Sequence, residues 1–174
     1  MSRANSDLVR RLEEVSKLKS PISLADLGQI CSSHGITGHI AVLTEPYLTR
    51  IIQGEKTVES RFSKVRLPPY KLVGVGDVIF LKEVSGPIKA IAAVVHADFF
   101  GPLQRGEART IMRRHADALA LDAEFVERKC NSPYATLIQV GTITATLPIW
   151  ISKSDRRGWV VIANRMLGQL EHRL

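Results

Sequence analysis

The segment GEKTVESRF, residues 54 to 62, places basic and acidic side chains close together at the start of a predicted strand. Side chains two positions apart on a strand point to the same face, so Glu59 and Arg61 are neighbours there. Lys56 lies at the mouth of the turn that follows Gly54 and need not obey this alternation. In a cleft, the three side chains could bind a phosphate, hydrogen-bond a base edge or transfer protons. On a solvated strand they would form a surface salt bridge, which composition alone favours.

A run of arginines lies further along the chain, on a predicted helix. Arg105, Arg109 and Arg113 fall four residues apart, and this spacing places them on one helix face. Such a stripe could track a phosphate backbone, because each guanidinium can donate two parallel hydrogen bonds to a phosphate. A solvated helix face, partly neutralised by Glu107, is an equally good interpretation.

A third basic group precedes a tryptophan in the segment SKSDRRGW. Its members are Lys153, Arg156, Arg157 and Trp159. Basic side chains beside an aromatic ring are typical of stacking platforms for single-stranded bases. Trp159 also heads an apolar strand, and the sequence slightly favours the alternative that it is a core residue.

The sequence predicts neither a metal site nor a cofactor. Cys31, His34 and His39 lie close together, but no fourth ligand is nearby and the chain has no CxxC or HExxH pattern. Cys31 also falls on the apolar face of its predicted helix. The segment GVGD, residues 74 to 77, lacks the lysine of a Walker loop and opens a strand rather than a helix.

A mixture of helices and strands must position these groups. Apolar residues at helical spacing predict helices over residues 6–19, from Ser23 to Gly35, in EPYLTRIIQ, and in an insert after residue 105 in which Asp122 caps a second helix. Strands are predicted in HIAVLT, TVESRF, DVIFLKEV, PIKAIAAVVHADFF, YATLIQVGTITATLP and GWVVIA. Many strands with few helices predict an α+β domain built on a small closed or partly closed β-barrel.

The whole-chain totals favour a polyanionic partner. The 174 residues carry a formal net charge of +7, and basic groups that bind phosphates gain free energy by releasing counterions. A hydrophobic content of 45% is typical of a soluble protein, and no apolar run approaches the ~20 residues that span a bilayer. Two distant cysteines and the lack of a secretory signal predict a cytoplasmic location.

Four residues of the opening segment stand in the pattern G-x-K-x-x-E-x-R, namely Gly54, Lys56, Glu59 and Arg61. This pattern resembles the signature of the ASCH domain family, whose β-barrel is related to the PUA domains that bind RNA. The resemblance includes the short helix ending in IIQG before the pattern, a strand opened by GD after it, and the closing RRGWVVI. It covers roughly residues 39 to 163.

The resemblance implies a small PUA-like β-barrel with peripheral helices and an N-terminal helical extension. We therefore predict a helical extension at residues 1–38 and an ASCH/PUA-like domain at residues 39–174. The two N-terminal helices resemble a helix-turn-helix unit, but too few residues follow them for a complete three-helix DNA reader. A helical extension docked on the main domain is the favoured interpretation.

The first function that the resemblance implies is binding of RNA, of single-stranded nucleic acid or of a nucleotide-like small molecule. The ligand would lie in a basic cleft floored by the pattern. There Lys56 and Arg61 contact a phosphate or a base edge, and Glu59 orients them. Further predicted nucleic-acid-binding residues are Tyr47, Tyr134, Arg105, Arg109, Arg113, Arg156, Arg157 and Trp159.

The alternative function is hydrolysis of a modified nucleoside or of RNA. One branch of the family removes the acetyl group from N4-acetylcytidine, and ribonuclease activity has been ascribed to other members. In this hypothesis Lys56 acts as base or nucleophile and Glu59 shuttles protons, with Thr57 and Glu83 as additional candidates. The deacetylating branch has a catalytic threonine three residues after the lysine, and in this chain Glu59 occupies that position.

Overall fold

The structure, a computed structural model, describes residues 3–18, 20–152 and 156–163. The helices are α1 (Arg3–Leu18), α2 (Leu24–Ser33), α3 (Tyr47–Ile52), α4 (Glu107–Arg114), α5 (Ala116–Leu119) and α6 (Ala123–Lys129). The strands are β1 (Ile22–Ser23), β2 (Gly38–Leu43), β3 (Val58–Ser63), β4 (Val78–Glu83), β5 (Ile88–Phe100), β6 (Tyr134–Ile149), β7 (Ile151–Ser152) and β8 (Trp159–Ala163). The predicted α+β class is confirmed.

Six strands form one sheet in the order β3-β6-β5-β4-β2-β8, so β3 and β8 are its two edges. Only β2 and β4 run parallel among these neighbours. Arg61 of β3 nevertheless donates a hydrogen bond from Nη2 to the carbonyl oxygen of Val42 in β2 at 3.2 Å, and lies over the ring of Trp159 in β8. The sheet is therefore curled into a half-barrel. We call the gap between its facing edges, β3 on one side and β8 with β2 on the other, the seam.

The two N-terminal helices share a core with the sheet. Leu8 and Leu12 of α1 and Leu27 of α2 pack with Phe80 and Ile149, and all five are buried. Ser23 caps α2, because its side-chain oxygen accepts a hydrogen bond from the backbone N–H of Asp26 at 3.0 Å. Each fully buried leucine contributes about 2 kcal/mol, so this packing stabilises helices and sheet together. The division of the chain at residue 38 stays a prediction.

The helical insert between β5 and β6 forms a third layer over the outer end of β3. Its apolar side chains pack against Phe62 of β3 and Leu137 of β6. The insert is broken at His115, whose φ of −111° and ψ of 23° separate α4 from α5. Asp122 caps α6 as predicted, and its Oδ1 accepts a hydrogen bond from Phe125 N at 2.7 Å. This layer holds α6 near the seam.

Candidate functional site

A tight turn between α3 and β3 delivers Lys56 to the interior. Gly54 has φ of +80°, a conformation that side chains with a Cβ rarely adopt. The backbone N–H of Lys56 donates to Arg50 O at 3.0 Å, and that of Thr57 donates to Ala118 O at 3.0 Å. The turn is therefore held by α3 on one side and by α5 on the other.

The Lys56 side chain is 1% exposed and satisfies two backbone carbonyls. Its Nζ donates to Val58 O at 2.7 Å and to Leu119 O at 2.8 Å. Burial lowers the pKa of Lys56; the nearby Glu59 carboxylate opposes this shift and Arg61 adds to it. Lys56 thus lies in the interior with both of its hydrogen bonds made to backbone carbonyls and with a lowered pKa.

Glu59 lies between two cations. One carboxylate oxygen is 3.7 Å from Lys56 Nζ, and the other is 3.0 Å from Arg61 Nε. The second contact is an ion pair without hydrogen-bond alignment, because Arg61 Nε is buried and has no hydrogen-bond partner among the described residues. Glu59 and Arg61 are neighbours on one face of β3, as predicted. Arg61 is the most accessible of the three, with 23% of its side chain exposed.

A hydrogen-bond chain supports the far side of Arg61. Its guanidinium carbon lies 5.2 Å from the centroid of the Trp159 ring. The indole Nε1 donates to His39 Nδ1 at 3.2 Å, and His39 Nε2 lies 2.9 Å from Asp77 Oδ2. Trp159 is only 3% exposed and belongs to the core, and it also lines the cavity along the seam. Its use as a stacking platform stays a prediction.

A cavity of about 490 Å³ opens along the seam. Its floor contains Lys56, Glu59 and Arg61, and its apolar and aromatic wall includes Tyr47, Leu67, Leu121, Phe125 and Trp159. This volume is in the range of small-molecule and cofactor sites, about 300–1,000 Å³. Tyr47 OH donates to Asp122, and burial together with this bond raises the pKa of Tyr47 to about 12.

One end of the cavity is strongly cationic. Lys64 follows β3, while Arg128 and Lys129 form the last turn of α6, and all three line the cavity. Burial lowers the pKa of Lys129, and the positive charges of Arg128, Arg61 and Lys64 lower it further. Together with Lys56 and Arg61, these three give the lining five cationic side chains, and Glu59 is its one carboxylate. We call Lys64, Arg128 and Lys129 the cationic end.

Several predicted site residues lie away from the cavity. Arg105 precedes α4 and therefore does not share a helix face with Arg109, which pairs through both guanidinium nitrogens with Glu127 at 2.6 and 2.7 Å. Glu83 forms an ion pair with Lys89 at 2.9 Å. The remaining predicted residues outside the lining are Thr57, Arg113, Tyr134, Arg156 and Arg157. Lys153 lies outside the described residues.

Sequence reasoning missed the cationic end and Thr136. Thr136 is 1% exposed, lines the cavity and stands opposite Arg61 in the β3–β6 pairing. Basic residues in the last turn of the predicted second insert helix were a usable signal for Arg128 and Lys129. No local signal could have identified Thr136, because strand register decides its position.

Metal binding finds no support in the described ranges. Those residues contain no group of three or more His, Cys, Asp and Glu side chains that could hold an ion. Cys31 and Cys130 are both buried free thiols, and burial raises the pKa of Cys31 to about 12. Across the same ranges, no helix has the length and apolar character needed to cross a membrane.

The sequence matches no protein-family model and is not similar enough to any curated protein to match it. Solved structures do match. The crystal structure of ASCH from Zymomonas mobilis aligns with a TM-score of 0.57 and 13% identity, over 78% of this chain and 94% of that chain. A serine-to-alanine mutant and a tyrosine-to-phenylalanine mutant of that protein align equally well, each at 14% identity. The protein therefore has the fold of an ASCH domain, here a half-barrel with added helices.

Proposed function

We propose that the cavity binds single-stranded nucleic acid, RNA foremost, or a nucleotide of the same chemistry. The charge and shape of the lining carry this proposal: five cations, one carboxylate and an aromatic wall around about 490 Å³. Stacking on aromatic rings and attraction of phosphates are the two interactions that hold single strands without a duplex. The ASCH-like fold supports the same conclusion.

Arg61 is the side chain in the floor that contacts the ligand. It is 23% exposed, whereas the side chains of Lys56 and Glu59 are 1% and 4% exposed. A guanidinium supported by an indole ring can present N–H groups to a planar acceptor, which suits a base edge or a phosphate. Lys56 and Glu59 then hold Arg61 in place rather than meeting the ligand themselves.

The cationic end receives the phosphate groups. Arg128 already pairs with the exposed Glu124 at 3.0 Å, while Lys64 and Lys129 have no carboxylate partner in the part of the chain that the structure describes. Lys129 is also crowded by three other cations. An anion at this position relieves that repulsion, so a phosphorylated ligand is favoured over an uncharged one.

Fluorescence anisotropy with labelled single-stranded RNA and DNA oligonucleotides tests the proposal. We expect Arg61→Ala to weaken binding at least tenfold, because a charge-assisted contact in a desolvated site contributes about 1.5–3 kcal/mol. The double variant Lys64→Gln with Lys129→Gln should reduce the slope of log affinity against log salt by about two. Lys17→Gln, which removes one positive charge on the exposed face of α1, is the control for each charge removed and should leave the slope nearly unchanged.

Two results would contradict the proposal. One is a lack of binding to any oligonucleotide at low salt by the wild-type protein. The other is a loss of affinity per removed charge that is the same in the Lys17→Gln control and in the double variant, because binding would then depend on net charge and not on the cavity.

Hydrolysis of a modified nucleoside or of RNA is the second candidate function. It is favoured by one observation, the lowered pKa of Lys56 beside Glu59 in the cavity floor. A neutral Lys56 amine could keep both carbonyl contacts with its two N–H groups and offer its lone pair as a base. Incubation with acylated nucleosides and with RNA, with and without divalent metal, tests this function. Product formed by the wild type and abolished in Lys56→Gln would support it, and intact substrate under every condition would exclude it.

A further inference from the structure

We propose that His39, in the tautomer that Asp77 selects, is a positioning residue for the cavity: its hydrogen bond with the Trp159 indole holds this ring where it supports Arg61. The binding part of this inference rests on the proposed function. Its structural part can be measured without any ligand.

The direction of the chain follows from its donors. An indole Nε1 can only donate, so His39 Nδ1 at 3.2 Å must accept. The neutral ring then has its proton on Nε2, which donates to Asp77 Oδ2 at 2.9 Å. The same oxygen accepts from the backbone N–H of Gly74 at 2.8 Å. Asp77 is thereby tied to the turn before β4, and it selects the one His39 tautomer that can accept from the indole.

Burial makes this chain hard to replace. His39 is fully buried and its ring centroid lies 5.7 Å from that of Trp159. Water therefore cannot readily substitute for either partner, and a lost bond would leave a buried polar group unsatisfied. A histidine that only provides hydrogen bonds for buried polar groups in the core would have the same burial and the same contacts.

The hydrogen bonds among Trp159, His39 and Asp77 lie at the seam, which indicates a role beyond pairing buried polar groups in the core. Arg61 is on one edge strand of the sheet and Trp159 is on the other, so no backbone ladder joins them. Arg61 reaches across the seam, where it lies over the Trp159 ring and donates a hydrogen bond to the carbonyl oxygen of Val42. The Trp159 ring is therefore one of the two supports that hold the Arg61 guanidinium on the far side of the seam. Since Arg61 is the most accessible member of the floor, a ligand in the cavity meets the side chain that this ring supports.

Two substitutions of His39 separate its two hydrogen bonds, one to Trp159 and one to Asp77. In His39→Asn, the amide oxygen takes the place of Nδ1 and can still accept from the indole. In His39→Gln, the amide takes the place of Nε2, so the contact with Asp77 is kept and the indole loses its acceptor. Thermal unfolding of both variants identifies any that fails to fold.

The ligand-free measurement uses the side-chain N–H resonances. Trp150→Phe identifies which indole signal belongs to Trp159, because the chain has two tryptophans. We expect His39→Gln to move the Trp159 Nε1–H resonance upfield, to speed its exchange with solvent and to shift the Arg61 Nε–H resonance. His39→Asn should leave both signals near their wild-type positions. An Arg61 signal that stays in place in His39→Gln, while the indole signal moves, would overturn the positioning role.

The binding measurement uses the same oligonucleotides as above. His39→Gln should weaken binding about tenfold, the effect of one misplaced directed contact, while His39→Asn stays within about threefold of the wild type. If His39 acts through Arg61, adding His39→Gln to Arg61→Ala should weaken binding little further. Fully additive losses, or equal losses in the Asn and Gln variants, would overturn the inference. Should the wild type bind no oligonucleotide, the proposed function fails and the Arg61 resonance alone decides this inference.

Discussion

Two lysines of this half-barrel, Lys56 and Lys82, are buried. They are 1% and 8% exposed, and each donates to two backbone carbonyl oxygens. Those of Lys56 belong to Val58 and Leu119, at 2.7 and 2.8 Å. Those of Lys82 belong to Glu83 and Gly86, at 2.9 and 2.6 Å, in the β4–β5 turn.

The two lysines differ in what surrounds these contacts. Lys56 joins β3 to α5, which are distant in sequence, and it lies beside Glu59 in the lining of the cavity. Lys82 joins the two ends of one short turn and is absent from the cavity lining. A buried, satisfied lysine is therefore insufficient to indicate a site. The useful sign is the adjoining cavity, which Lys56 lines together with the buried carboxylate of Glu59.

Substitution of Lys56 and of Lys82 should give the largest difference, both in stability and in oligonucleotide binding. Lys56→Met leaves Glu59 buried with one cation fewer and leaves two interior carbonyls without a donor, so the free energy of unfolding should fall by about 3 kcal/mol. Lys82→Met should lower it by about 1 kcal/mol, because carbonyls of a surface turn can bind water instead. Urea denaturation measures both, and oligonucleotide binding should weaken only in Lys56→Met. Equal losses of stability and binding in the two variants would remove the distinction.

Removal of the carboxylate beside Lys56 should have the next largest effect. Glu59→Gln leaves Lys56 and Arg61 facing each other without the negative charge between them, and should lower the free energy of unfolding by about 2 kcal/mol. The pKa of Lys56 should also fall further, since Glu59 is the group that raises it. Glu127→Gln, on the exposed face of α6, is the control for urea denaturation. If the two variants have the same midpoint, the buried arrangement contributes nothing beyond surface charge.

The pH dependence of stability should identify Lys56 by the sign of its slope. Burial lowers its pKa below the usual value of 10.5 in the folded protein. Between that lowered pKa and 10.5, the unfolded chain still binds a proton that the folded protein has released, so the free energy of unfolding rises with pH. Below this window both states bind the proton and the difference is constant. The wild type should therefore gain stability relative to Lys56→Met as the pH increases, and a flat difference would contradict the lowered pKa.

The smallest effect is expected at the arginines that the sequence also singled out. Arg109 is paired with Glu127 on an exposed helix pair, so Arg109→Ala should leave the unfolding temperature nearly unchanged and alter oligonucleotide affinity less than twofold. Arg61→Ala in the same anisotropy experiment supplies the contrast. A loss of affinity in Arg109→Ala as large as that in Arg61→Ala would move the interface to the outer face of the insert.

Local pattern was sufficient wherever geometry is set within a few residues. The alternation of TVESRF placed Glu59 and Arg61 on one face, and the structure has their side chains 3.0 Å apart. The cap Asp122 was predicted, because a cap bonds to the backbone three residues ahead. The start of the second helix near Ser23 was also predicted, and Ser23 is its cap. The α+β half-barrel followed from strand and helix content together with the resemblance to ASCH domains, and the similarity to solved structures confirms it.

The sequence pattern was misleading where the interaction partner of a residue lies on another helix or strand. The spacing of Arg109 is that of a free helix face, but a glutamate on a different helix neutralises it. Glu83 has the chemistry of a proton shuttle, but its strand directs it to Lys89. Nothing near Lys64 in sequence predicts that it would meet the last turn of α6 at one end of a cavity.

The sequence by itself determined the elements, the charge balance and the order of side chains along β3, because these depend on backbone periodicity and on contacts between near neighbours. Only the tertiary structure decided that this cluster is the floor of a cavity. The curl of the sheet brings its two edge strands face to face, and Arg61 then meets Trp159 from the other end of the domain. That closure depends on the sum of many packing contacts across the sheet, and no short segment of the chain encodes it.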